Sequence, residues 1–487
     1  MRYRGWISLF LLASSLAFAK DSPKSGLKPA RLPVSTPSTA ARRDFDHAMR
    51  NFEQYRLTET LQDLRAATQA DPKFAQAYIL IAKVSKDPDE QQKACQKAKQ
   101  FAAESSPGEQ LLVRWLASAQ ENSYLPAIAA MNDLLEKYPQ DHRLAFLAGD
   151  WLVLQQRYEP AAVVLQQALT LFPDYPAALN DLAYTYAFSG ESTKAFTVMD
   201  RYVALAPDEP NPHDSYGEIL RMAGKFDAAL EQYRTSIRID PNFGSEVGVA
   251  DTLALMGREE DAREEYGRAE VFAGSPYDKV SYELQAAVTW IREGNRKQAE
   301  RSLIEVARHA HAADLARVEA EAHRVLAMYD PDPKAALAQL READAALDEK
   351  HLISDNDRDS ERARILQVRA LRLAEEQDFK SAADAVDRLE TMAGNSRSLV
   401  IQLCYQGAVG AVLEAQGKHA EAIAYLEEDS DDPLSMKSLW RAYSDSGKAS
   451  QAELLATRLS SLNVPSAEQA LVVPQFRASL LSEAGQQ

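Results

Sequence analysis

The chain has 487 residues, 46% of them apolar, with 72 acidic against 55 basic side chains and a formal charge of −17. That much apolar material supports a real core, spread over several domains or one long array. The acidic balance excludes a duplex nucleic-acid binder, which needs a basic face to displace counterions, and suits basic partners instead.

The N-terminus reads as an export signal: Arg2 and Arg4, an apolar run from Ile7 to Phe18, and a small-x-small site at Ala17-Phe18-Ala19. The run is about 12 residues, short of the roughly 20 that span a bilayer. Residues 1–19 are therefore expected to be a signal peptide whose cleavage leaves no stable membrane insertion, in a periplasmic or secreted protein. Residues 20–40 hold four prolines and few large apolar groups. Such a stretch buries too little surface to offset its ordering entropy and reads as a flexible leader.

From Ala41 the pattern is helical, and its ruler is a set of four prolines. Pro139, Pro173, Pro207 and Pro241 stand 34 residues apart. Proline cannot continue a helix, so each closes one. Small residues recur in register between them: Gly149 with Ala161, Ala183 with Ala195, and Gly217 with Ala229. Small side chains at both places would let two helices approach closely. Gly190 and Gly224 fall at the intervening turns, where a positive φ is cheap for glycine. This block resembles the tetratricopeptide repeat family, whose unit is a pair of antiparallel helices of about 34 residues. The resemblance implies an all-α fold, a right-handed superhelical α-solenoid of stacked antiparallel helix pairs. Ala145, Leu179 and His213 depart from it, standing where the family usually has Trp. The register extends over a regular array from 41 to 311, then loosens into irregular helix pairs from 312 to 462, about eleven pairs in all. The segment 463–487 is expected to be a short capping helix followed by disorder, because an array needs an atypical element over its last face. Cys95 and Cys404 lie about nine repeats apart, and repeats are expected to touch only their neighbours. Two free, buried thiols are therefore expected rather than a disulfide.

The residues with chemical potential are few. His309, His311 and His323 form the one histidine cluster, but positions two apart on a helix do not share a face, so no metal site is expected. Asp355-Asn356-Asp357-Arg358-Asp359 starts like a calcium loop, yet Ser360 and Leu366 stand where that loop needs Gly and Glu. It reads as an acidic loop, with Asp359 or Ser360 capping the next helix. No phosphate-binding glycine loop or nucleophile elbow occurs, so neither an enzyme nor a cofactor is expected.

The resemblance places the first helix of each pair on a concave inner face, where positions not fixed by the repeat are free to contact a ligand. On that reading the partner-binding residues are Phe146, Asp150, Asn180, Tyr184, Asp214, Glu218, Arg221 and Asp251. This surface of carboxylates and aromatics suits a protein or peptide with apolar anchors and basic residues. Two functions follow: an exported, non-enzymatic scaffold that binds a partner in the groove, or a structural component of an envelope complex that works by self-association or through its convex face.

Overall fold

The computed structural model describes residues 31–121, 123–349, 353–396 and 398–484; the expected signal peptide lies outside them. Twelve helix pairs follow one another, one more than the sequence suggested: Thr39–Glu53 with Leu57–Ala70, Ala75–Val84 with Pro88–Phe101, Pro107–Gln120 with Tyr124–Lys137, His142–Leu154 with Tyr158–Leu171, Pro176–Phe188 with Ser192–Leu205, Pro210–Met222 with Phe226–Ile239, Glu246–Leu255 with Glu259–Val271, Pro276–Arg292 with Arg296–Ala312, Ala316–Tyr329 with Pro333–Glu349, Asp355–Glu375 with Phe379–Asn395, Leu399–Ala415 with His419–Leu426, and Pro433–Asp445 with Ala449–Ser460. A last helix, Ala467–Ala484, stands alone. These are numbered α1 to α25 in this order. Among the described residues there is no strand, and no helix is long and apolar enough to cross a membrane.

Local chemistry explains the boundaries. Gly190, Gly224, Gly257, Gly294, Gly417 and Gly447 occupy the turns within pairs with φ between 70° and 77°. Tyr55, Gln156 and Gln377 hold the same turn position with φ of 62°, 53° and 60°. A side chain strains that conformation, so Gln377→Gly is expected to raise stability by about 0.5–1 kcal/mol. The check is the urea midpoint of the full chain; an unchanged or lower midpoint would count against it. The acidic run at 355–359 is not a loop. Ser354 Oγ accepts from the amide of Asp357 at 3.0 Å and starts α19 there, with the carboxylates of Asp355 and Asp357 at the positive end of the helix dipole.

The small residues act one step differently from expectation. A Cβ on Gly149 would lie 2.5 Å from the Leu165 side chain, one on Gly217 2.9 Å from the Tyr233 ring, and one on Gly410 2.4 Å from Leu426. In each case a large residue 16 positions on fills the space. The glycine admits that side chain, while Ala161, Ala195 and Ala229 are fully buried beside it.

The repeats do not touch only their neighbours. Tyr55 Oη reaches Asp181 Oδ1 at 3.3 Å, Lys86 Nζ reaches Asp278 at 2.9 Å, Tyr124 Oη reaches Asn356 at 3.0 Å, and Asn463 Nδ2 reaches the Met222 carbonyl at 3.5 Å. The small rotation between successive pairs brings one turn of the superhelix against another. Cys95 and Cys404 are nonetheless unpaired and buried. Two terminal segments add to this closure. Residues 32–36 run past two helix starts and one helix end: Leu32 N donates to Asp141 Oδ2 and Ser35 N to Glu109 Oε1, both at 2.8 Å, and Thr36 Oγ1 donates to Asp71, the C-cap of α2, at 2.5 Å. The end of the proline-rich leader thus has fixed partners. At the other terminus, α25 does more than cover the last pair: Glu468 and Gln469 engage Arg324 and Arg292, on α17 and α15.

Candidate interaction surface

The eight sequence-selected residues fall on the inner helices α7, α9, α11 and α13, in two groups. Phe146, Asp150 and Asn180 face the N-terminal pairs. Phe146 is 1% exposed and packs its ring 5.5 Å from Phe52 and 5.2 Å from Tyr175. Asp150 is paired with Lys83. Asn180 is 2% exposed, beside the buried Asp181. Burial, the nearby Asp150 charge and only partial relief from Lys83 hold the Asp181 carboxyl well above its usual range.

Tyr184, Glu218, Arg221 and Asp251 form a continuous chain of polar contacts across three repeats. Tyr184 Oη donates to Glu218 Oε2 at 2.6 Å. The other Glu218 oxygen accepts from Arg221 at 2.9 Å, and Arg221 lies 3.6 Å from Asp251. Tyr266 closes the chain, donating to Asp251 at 2.5 Å. Asp214 sits beside it; burial, followed by the charge of Glu218, pushes its carboxyl up to about 7. Arg221 is buried and committed to these carboxylates, whereas the Glu218 side chain is 39% exposed. The inner surface of the regular block is therefore largely covered by the chain itself, although Asn180 Oδ1 and the Nε and Nη1 of Arg221 are buried without a hydrogen-bond partner among the described residues. Of the eight residues, Glu218 presents the most open charge.

Sequence reasoning missed an apolar row beside this network. Leu154, Phe188 and Met256 are 66%, 45% and 37% exposed at the C-terminal ends of α7 and α9 and just after α13. They share one repeat position, with the half-buried Met222 between the last two. Phe188 is stacked between Tyr158 and Tyr184, with ring centroids at 5.5 and 5.9 Å. The signal was available as apolar residues spaced by the proline period. The histidine cluster does not converge: His309 contacts Glu283, His311 contacts Glu319 and His323 contacts Gln339.

Residues 152–219 match the family model described as tetratricopeptide repeat. Those residues carry tetratricopeptide repeats. The chain is 24% identical over 380 residues to cellulose synthase operon protein C of Xanthomonas axonopodis pv. citri (strain 306), in an alignment covering 73% of the chain and 24% of that protein. It thus spans about a quarter of that relative's length. Among solved structures it is similar to a chain of the APC/C hetero-tetramer Cut9-Hcn1, with 16% identity, coverage of 82% of this chain and 76% of that one, and a TM-score of 0.41. It is also similar to a thermophilic TPR protein of Thermus thermophilus, at 21% identity over 37% of this chain and 98% of that one, with a TM-score of 0.32.

Proposed function

We propose that the chain is an exported, non-enzymatic scaffold that binds a protein or peptide along the inner rim of the regular block. The observation that carries this reading is the exposed apolar row of Leu154, Phe188 and Met256 at repeat spacing, running beside the exposed carboxylate of Glu218. A peptide with apolar side chains at matching intervals and a basic residue opposite Glu218 fits such a surface. Its basic character also suits the net charge of −17. Export rests on the N-terminal signal, and a periplasmic or secreted location follows from it. The likeness to a cellulose synthase operon protein makes a component of a multi-protein synthase assembly the first class of partner to try.

The test is photo-crosslinking in cells with a benzophenone amino acid at Phe188. The expected result is a discrete adduct in the periplasmic fraction, reduced about tenfold or more when Leu154→Asp and Glu218→Lys are combined, in line with loss of at least about 1.4 kcal/mol of binding. The same probe at Val163, an exposed residue on α8, is the control. An adduct that is insensitive to the double variant, or equal from Val163, would overturn the assignment.

A further inference from the structure

A cavity lies where the irregular half of the chain meets the α7–α8 turn, close to the Leu154 end of the apolar row. Its volume is about 210 Å³, and its walls come from α17, α19, α21, the 427–432 turn and the starts of α23 and α25. Gln156 reaches its lining from the turn between α7 and α8. It is one of the few non-glycine residues there with positive φ.

The lining carries both charges. Gln367 Nε2 bridges two carboxylates, donating to Asp432 Oδ2 at 3.1 Å and Asp429 Oδ2 at 3.4 Å. Ser435 Oγ also donates to Asp429, at 2.5 Å. None of these donors is a cation. Burial first, then the neighbouring carboxylate charges, push Asp429 up to about 8 and Asp432 up to about 6. Arg364 also lines the cavity, and its sole ion-pair contact among the described residues is a long one, 3.4 Å from Glu361. A guanidinium has five donors, so most of its capacity remains. Val400, Leu403 and Leu434 supply apolar lining. The carboxylate cluster is built into the backbone. A Cβ on Gly407 would stand 2.3 Å from Asp429 Oδ2, 2.6 Å from Gln367 Nε2 and 2.6 Å from Ser435 Oγ, so only glycine at 407 lets the three converge.

Arg324 and Glu468 also line the cavity, but they are paired with each other at 2.6 Å. Two further carboxylates whose hydrogen-bond donors are all neutral, an underused guanidinium and apolar lining within one small cavity fit a ligand carrying both charges. We propose that this cavity binds a free α-amino acid with an aliphatic side chain, its ammonium on Asp429 and Asp432, its carboxylate on Arg364 and its side chain on Val400 and Leu403. The volume is below the roughly 300–1,000 Å³ of drug-sized sites, which excludes nucleotides and long peptides. The carboxylate pair also disfavours a purely anionic ligand.

The experiment is calorimetric titration of the dialysed full-length protein with L-leucine, leucinamide and N-acetyl-L-leucine, and separately with calcium chloride. L-leucine is expected to bind, and N-acetyl-L-leucine and leucinamide about tenfold or more weakly, each lacking one charge. Asp432→Asn is expected to weaken L-leucine and leucinamide together. Arg364→Gln is expected to weaken L-leucine while leaving leucinamide unchanged. Both side chains lie at least partly open, and a wild-type helical circular dichroism spectrum for each variant separates lost binding from lost folding. No heat with L-leucine, equal affinity for its acetylated form, or binding of calcium alone would overturn the assignment. None of these outcomes bears on the apolar row, so the two sites stand or fall separately.

Discussion

Replacing Arg324 with Met is expected to destabilise the protein by about 3–5 kcal/mol at pH 7.5, because it removes one partner of a buried ionic cluster and leaves the others uncompensated. Arg324 lies on α17 and is 4% exposed. Its Nε donates to Glu361 on α19 at 2.7 Å, and its Nη1 donates to Glu468 on α25 at 2.6 Å. A third carboxylate, Glu321, lies 3.6 Å away. Burial opposes the charge on Glu468, yet Arg324 and the helix start hold its carboxyl below the usual range. A depressed carboxyl contributes stability above its unfolded pKa and loses it as pH falls through the folded value. In the variant the same carboxylates are buried without a cation, so their pKa values rise and protonation relieves them. The stability gap between wild type and variant should therefore narrow from pH 7.5 to 5.5. Urea unfolding at the two pH values measures it, and an equal gap at both would show that lost packing, not uncompensated charge, sets the cost. Met keeps most of the apolar stem, which restricts the change to the charged group.

How much of this was legible differs by level. The pair architecture was readable because each pair is local. Pro173, Pro207 and Pro241 end helices through their own missing N–H, and Gly190 and Gly224 turn the chain through their own φ of 75° and 73°. These signals need no distant partner. The burial of Phe146, Asn180 and Arg221 was not legible. Whether an inner residue faces solvent or another turn of the superhelix depends on the sum of many small rotations between repeats, and no single residue encodes that sum. Tyr55 meeting Asp181 across 126 positions, and Asn463 meeting Met222 across 241, are its products. The return of α25 is of the same kind, since Glu468 announces no partner until α17 and α19 are placed. The row of Leu154, Phe188 and Met256 was readable in principle. These residues stand at the helix ends, away from the positions that the family usually turns inward. Arg324 and the Asp429–Asp432 pair sit where the period loosens, so register could not assign them a side.

The second large effect is an inverted pH response. Most proteins lose stability on acidification because paired carboxylates must be protonated; here a group of buried carboxyls works the other way. Burial, reinforced by the Asp432 charge, holds Asp429 up at about 8, and burial, reinforced by Glu218, holds Asp214 at about 7. An unfolded aspartate titrates near 3.9. Between about pH 4 and 8 the folded chain thus binds protons that the unfolded chain does not, and stability falls as pH rises through that window. A tenfold difference in proton affinity is worth about 1.4 kcal/mol, so lowering the pH from 8.5 to 6 is expected to add on the order of 4 kcal/mol, most of it from Asp429. Asp429→Asn isolates the largest contributor. The amide oxygen still accepts from Ser435 and Gln367, but the group no longer carries a charge to bury. The variant should be more stable than wild type at pH 8.5, about equal at pH 6, and flatter between them. Urea midpoints at pH 8.5, 7.25 and 6 decide the matter. A wild-type midpoint that rises with pH, or a variant that keeps the full slope, would mean that the 427–432 turn opens to water and ionises without penalty.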